Sequence, residues 1–196
     1  IILKDPVGAQ DLGLISTKAE LLAGAADWPT YLGILSQGLA VAGSLIFGLI
    51  TAWVFGREFA ERTAKELLAV PTPRSAIVAA KLVVSMAWAV ALTLIVIGLG
   101  LGVGWAVDIP GWSVELAWSA VTNLLLVGAL TALLLPWVAF LAGVGHGYLA
   151  PIGWMFLVLA LAQIMVVLGW GDLFPWSVPA LISGAAGPSV ARLGWH

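Results

Sequence analysis

The stretch YLGILSQGLAVAGSLIFGLITAWVFG, residues 31–56, decides the fold. It carries no charge and is mostly apolar over its whole length. A helix that crosses a bilayer needs about 20 such residues at 1.5 Å rise each. Hydrocarbon leaves only helices or closed barrels able to satisfy the backbone. A barrel would show short alternating segments rather than one long apolar run. Three further stretches have the same character, at about 82–107, 117–142 and 148–170. The reading is an all-α, polytopic transmembrane bundle with four spans. Composition agrees: of 196 residues, 62% are hydrophobic and only 9% charged. A soluble domain carries about 25% charge.

Charge patterning orients the bundle. Segment 57–81 holds Arg57, Arg62, Lys65, Arg74 and Lys81, five of the eight basic residues. The flanks elsewhere are acidic: Asp5, Asp11, Glu20 and Asp27 before the first span, Asp108 and Glu115 after the second, Asp172 after the fourth. Basic loops stay inside, so 57–81 is expected in the cytoplasm and segments 1–30 and 172–196 outside. Localisation is then a cell (inner) membrane. An external N-terminus, without an initiator Met or a signal peptide, points to a preceding span that lies outside this sequence. Trp28, Trp53, Trp105, Trp112, Trp118, Trp170 and Trp176 fall at expected interfaces, as belt residues. Thr17 and Glu20 have capping-box spacing for a short surface helix. FPWSVP, residues 174–179, reads as an interfacial turn held by Trp176.

Several chemistries are excluded. A net charge of −2 with no basic cluster gives no footprint for nucleic acid. The chain has no Cys and only two His, His146 and His196, too few for a zinc site. No P-loop and no His-Glu-x-x-His occurs, so neither catalytic residues, a metal nor a cofactor is expected. No Lys, Arg, Asp or Glu lies deep in a span, which argues against a proton relay or an intramembrane protease. His146, in GVGHGYLAP, reads as a loop residue. Pro136 is expected to kink the third span. Gly98, Gly100, Gly102 and Gly104 form two interleaved Gly-x-x-x-Gly pairs suited to close helix packing. Among polar residues in the spans, Gln37, Asn123 and Gln163 are the candidates to line a path, because an amide avoids lipid.

The cytoplasmic segment, REFAERTAKELLAVPTPRSAIVAAK, carries most information. Phe59, Ala60, Ala64, Leu67 and Leu68 share one side at helical period, and Glu58, Glu61, Arg62, Lys65 and Glu66 the other. Glu58→Arg62 and Glu61→Lys65 have i,i+4 spacing in the favourable order. A short amphipathic helix over 58–68 is expected, stopped by Pro71. Thr72 would then cap the next helix, with Pro73 at its first position. The plain reading is a solvated elbow between spans. The functional one is a docking rod whose displacement moves them.

This segment resembles the cytoplasmic signature of type-2 ABC export permeases. That signature is Glu-x-x-x-(Gly/Arg)-Thr-x-x-x-Leu-Leu, then a Pro-(Val/Thr)-(Ser/Pro)-Arg turn, then a Lys opening the next span. Glu58, Arg62, Thr63, Leu67, Leu68, Pro71, Arg74 and Lys81 match it. FPWSVPALISG, residues 174–184, also resembles the stretch before such a permease's last span. The resemblance implies a coupling helix at 58–68 seated in a separate cytosolic ABC ATPase, with Glu58, Phe59, Glu61, Arg62, Thr63, Lys65, Glu66, Leu67, Leu68, Pro71 and Arg74 at the contact. It implies ATP-driven export, with hydrolysis by the partner subunit, and pairing with a second permease chain. The family has six spans, and these four look like the second to the fifth. A non-transport scaffold subunit is the alternative, and an intramembrane enzyme is disfavoured because the spans lack reactive side chains.

Overall fold

The computed structural model describes residues 27–63 and 71–184. These residues are helical and contain no strand. Four helices are long and apolar enough to cross a membrane: Trp28–Ala60, Arg74–Ala106, Val114–Val144 and Leu149–Val167. They run up and down, so the first and third spans enter at the Trp28 end and the second and fourth return to it. The expected short helix near Thr17 and Glu20 lies outside the described residues.

The first span is the centre of the bundle and touches the other three. Asp27 caps its N-terminus, accepting from the Thr30 N–H at 3.0 Å. The Thr30 side chain first and its N–H second hold the Asp27 carboxyl below its ordinary value. The cap is therefore fully present above the usual Asp range and is lost as pH falls through the lowered value. Trp28 is 1% exposed, donates its backbone N–H to Pro110 O, and meets Trp112 edge-on at 4.6 Å. It is a packing residue, not the belt residue expected from its position. Trp53, Trp105, Trp118 and Trp170 are exposed, as belt residues are.

Glycines set the helix contacts. A Cβ on Gly104 would lie 2.5 Å from the Trp28 ring, and one on Gly100 would lie 2.3 Å from Leu35. Tyr31 Oη donates to Gly100 O at 2.8 Å across the same seam. Gly98 and Gly102 meet nothing within 4 Å. Only one of the two interleaved pairs is therefore a helix contact, because the second span presents only that face to the first. Gly48 seats Met155 and Gly56 seats Tyr148, which brings the fourth span against the first.

Three irregularities occur among the described residues, and each packs on one side against another part of the protein. Residues Leu39–Gly43 form a π-turn in the first span, which the sequence does not announce. The third span breaks at Leu134, where Pro136 lacks the N–H needed to continue the ladder, as expected. After the fourth span the chain turns back into the bundle. Pro175 and Pro179 prevent a continuous helix, and the short helix Val178–Ile182 packs on the third span and the π-turn. Ser177 is fully buried and donates to Phe174 O at 2.6 Å and also to Gly171 O. Trp176 contacts Trp137, Trp154 and Phe174. It fills a seam beside Thr131, Leu134 and Met155. Residues 174–184 thus pack into the bundle, and Trp176 wedges between the third and fourth spans rather than anchoring a surface turn.

Overpacking a close helix contact costs about 1–3 kcal/mol. Gly104→Val is expected to destabilise the protein by that amount, whereas Gly102→Val stays within about 0.5 kcal/mol of the parent. Thermal melting in detergent distinguishes them, and equal melting of the two variants contradicts the seam.

Candidate functional site

The polar end of the bundle collects the ends of all four spans around residues 55–63. The first helix continues past Arg57 to Ala60, with Glu61, Arg62 and Thr63 forming a turn. The rod expected over 58–68 is therefore divided. Glu58, Phe59 and Ala60 are the last turn of the first span, and Arg62 leaves the helix at φ 61°. That left-handed conformation favours glycine. Lys65, Glu66, Leu67 and Leu68 lie outside the described residues.

Glu58 does not pair with Arg62, which has left the helix. Its carboxylate instead takes Lys81 Nζ of the second span, and both side chains are largely buried, at 19% and 17% exposed. Lys81 Nζ also lies 5.4 Å from the Phe55 ring centroid. A positive charge over a ring face adds attraction to that tie. Phe59 meets His146 edge-on at 5.1 Å. His146 sits in a left-handed turn at φ 49°, with Nδ1 2.9 Å from Val144 O, in the loop where it was expected. Gly56 lies against the Tyr148 ring at the start of the fourth span. One end of one helix thus holds the second span by an ion pair, the third-to-fourth turn by ring contact and the fourth span by close packing.

The second span begins at Arg74, eight residues before the expected Leu82, and Pro73 rather than Thr72 occupies the cap position. Pro73 O accepts from the N–H groups of Ala76 and Ile77, and no side chain caps this end. Glu61, Arg62, Pro71 and Arg74 are exposed, and Thr63 is half-buried. Sequence reasoning missed the Glu58–Lys81 pair, although both residues stand in the quoted motif. It also missed His146 and Tyr148 as neighbours of the first span. No local pattern links positions 56–59 to 146–148.

The three amides are not joined to one another by hydrogen bonds. Gln37 Nε2 donates to Gly184 O at 3.5 Å, a long bond that ties the folded-back segment to the first span. Asn123 is half-buried and Gln163 exposed. Among the described residues, no group of His, Asp and Glu could hold a metal ion.

The family described as ABC-2 family transporter protein matches residues 24–166, all four spans and the whole 57–81 segment. This chain belongs to that family. The ABC-2 chain is also 29% identical over 142 residues to the bacitracin transport permease protein BCRB of Bacillus licheniformis, a match covering 72% of this chain and 68% of that protein. No solved structure matches it. Membership makes it a membrane-embedded transporter permease subunit and implies an ABC ATPase partner. The folded-back segment 170–184 lies beyond the matched residues.

Substitutions at Glu58, Lys81 and Arg62 test this geometry in the ABC-2 permease. Glu58→Ala strands Lys81 and is expected to cost about 1–3 kcal/mol, the weight of a hydrogen bond to a charged group. The exchanged pair Glu58→Lys with Lys81→Glu recovers part of it in a double-mutant cycle. Arg62→Gly is expected to leave stability unchanged or raised by up to about 1 kcal/mol, whereas Arg62→Val lowers it, because an L side chain in this conformation costs about 1–2 kcal/mol. Melting curves in detergent read both.

Proposed function

We propose that this permease subunit exports its substrate and is driven by a separate cytosolic ATPase that grips the end of the first span. The orientation follows the basic residues: segment 57–81 faces the cytoplasm, and the Trp28 end faces outward. One observation carries the reading. The helix end beside Glu61–Thr63 is the point at which the first span is tied to the second span, to the third-to-fourth turn and to the fourth span. A push there reaches every span at once, as a rigid-body shift of packed helices requires. Glu61, Arg62, Thr63 and Pro71 form the described part of the partner-facing surface, with Lys65, Glu66, Leu67 and Leu68 between them in sequence. Glu58 and Phe59 transmit rather than touch, because their side chains are already engaged within the chain.

The second and fourth spans keep broad apolar faces exposed, including Val83, Trp88 and Leu99 in the second and Phe156, Leu157 and Ile164 in the fourth. These faces suit lipid and a second permease chain. Asn123, half-buried and without a side-chain hydrogen bond among the described residues, is the amide best placed to meet a substrate. Gln37 and Gln163 remain weaker candidates, one engaged with Gly184 and the other on an exposed face.

The test is purification of the full-length protein with its native partners. A nucleotide-hydrolysing subunit is expected to come with it. Glu61→Lys is then expected to lower transport by roughly tenfold or more at unchanged melting temperature, since reversing a charge within an interface costs a few kcal/mol. Transport at the parental rate by this variant contradicts the docking role, and purification without any such subunit favours a scaffold.

A further inference from the structure

A second feature of the polar end is a cleft of about 350 Å³ between the second span and the half of the third span that follows its break. Phe55, Val78, Leu82, Pro136, Phe140 and Gly143 line it. Its size is at the lower end of ligand pockets, roughly 300 Å³ and upward. The walls offer no charge and no hydrogen-bonding side chain. A polar solute has nothing to hold there, and an alkyl chain does.

The cleft has a charged rim. Residues 74, 78 and 82 recur every four positions and share one helix face. Val78 and Leu82 point into the cleft, so Arg74 stands on the same stripe one turn closer to the end of the helix. Arg74 is exposed and has no hydrogen bond or ion pair among the described residues. Lys81 is adjacent but already neutralised by Glu58. Among the described residues, the cation at the mouth without a partner is therefore Arg74. The arrangement is amphiphilic: an apolar slot at the depth of acyl chains, then a guanidinium at the depth of headgroups, able to take a phosphate with two parallel donors.

We infer that this cleft binds an anionic phospholipid of the inner leaflet, one acyl chain lying along Phe55, Leu82 and Phe140 and the phosphate meeting Arg74. Charge complementarity selects a lipid with net negative charge over a zwitterionic one. The leaflet assignment rests on the orientation proposed for the 57–81 segment; the binding itself does not. Arg74 then serves the lipid, and the ATPase-facing surface is left to Glu61–Thr63 and the residues that follow.

Gly143 makes the inference testable. A Cβ there meets nothing within 4 Å, so a larger side chain enters the cleft without touching the core. The full-length protein, with its partners, is reconstituted into vesicles of equal parts phosphatidylglycerol and phosphatidylcholine. It is then extracted in mild detergent and weighed by native mass spectrometry. The parent is expected to retain phosphatidylglycerol in preference to phosphatidylcholine. Arg74→Gln is expected to reduce that preference about fivefold, the weight of one basic residue near an anionic lipid surface. Gly143→Leu, or Gly143→Val if the larger residue fails to fold, is expected to abolish retention, and Gly102→Leu on the open face leaves it intact. Equal retention of the two lipids by the parent overturns the inference. So does parental retention by a folded Gly143 variant, which places any bound lipid outside the cleft. A Gly143→Cys thiol, single in this Cys-free chain, that cross-links to a polypeptide rather than to a lipid probe also overturns it. Lipid retention is read without nucleotide hydrolysis, so its failure and the failure of an ATPase to copurify are separate results.

Discussion

Hydrocarbon offers no hydrogen-bond partner, and every feature of this chain answers to that. Backbone groups must bond within the segment that carries them, so the described residues form long helices. Charges collect where the helices end. The exceptions obey the same constraint. The π-turn at Leu39–Gly43, the break at Leu134 and the folded-back segment at 174–184 all bring irregular backbone against the spans. Each is packed against protein, which is where the backbone tolerates it. The π-turn and the short helix Val178–Ile182 touch, and Trp176 borders Leu134. The irregular backbone is thus concentrated in one zone, and the rest of the bundle stays regular.

In lipid, one apolar helix gains no hydrophobic free energy by touching another. Close packing has to hold the bundle instead, and glycine provides it. Gly100 and Gly104 receive Leu35 and Trp28, Gly128 receives Thr93, and Gly48 and Gly56 receive Met155 and Tyr148. The first span takes part in most of these contacts. It is consequently the element that joins the other three.

The polar end adds a different kind of contact. Glu58 and Lys81 meet near the level where the first span leaves the apolar zone, and their side chains are largely shielded from solvent. A surface ion pair contributes about 0–1 kcal/mol, and shielding raises that. Phe55 beneath the ammonium and Phe59 against His146 extend the tie across the four helix ends. Glu58 and Lys81 thus lock the first two spans together where the chain passes from one to the other.

The sequence by itself determined the number of apolar spanning helices, the proline break in the third and the membership in a permease family. Those properties depend on local composition: transfer of each residue into hydrocarbon is nearly independent of its neighbours in space. The start of the second helix just after Pro73 was legible for the same reason, since proline acts where it stands. Only the tertiary structure decided which glycine pair is a contact and which faces outward, that Trp28 and Trp176 are packed rather than interfacial, and that Glu58 turns from Arg62 to Lys81. Each of these depends on which face of a helix meets which neighbour. Four helices that are apolar on every side carry no periodic signal that names the partner face. The pairing is settled instead by fit between side chains far apart in the chain.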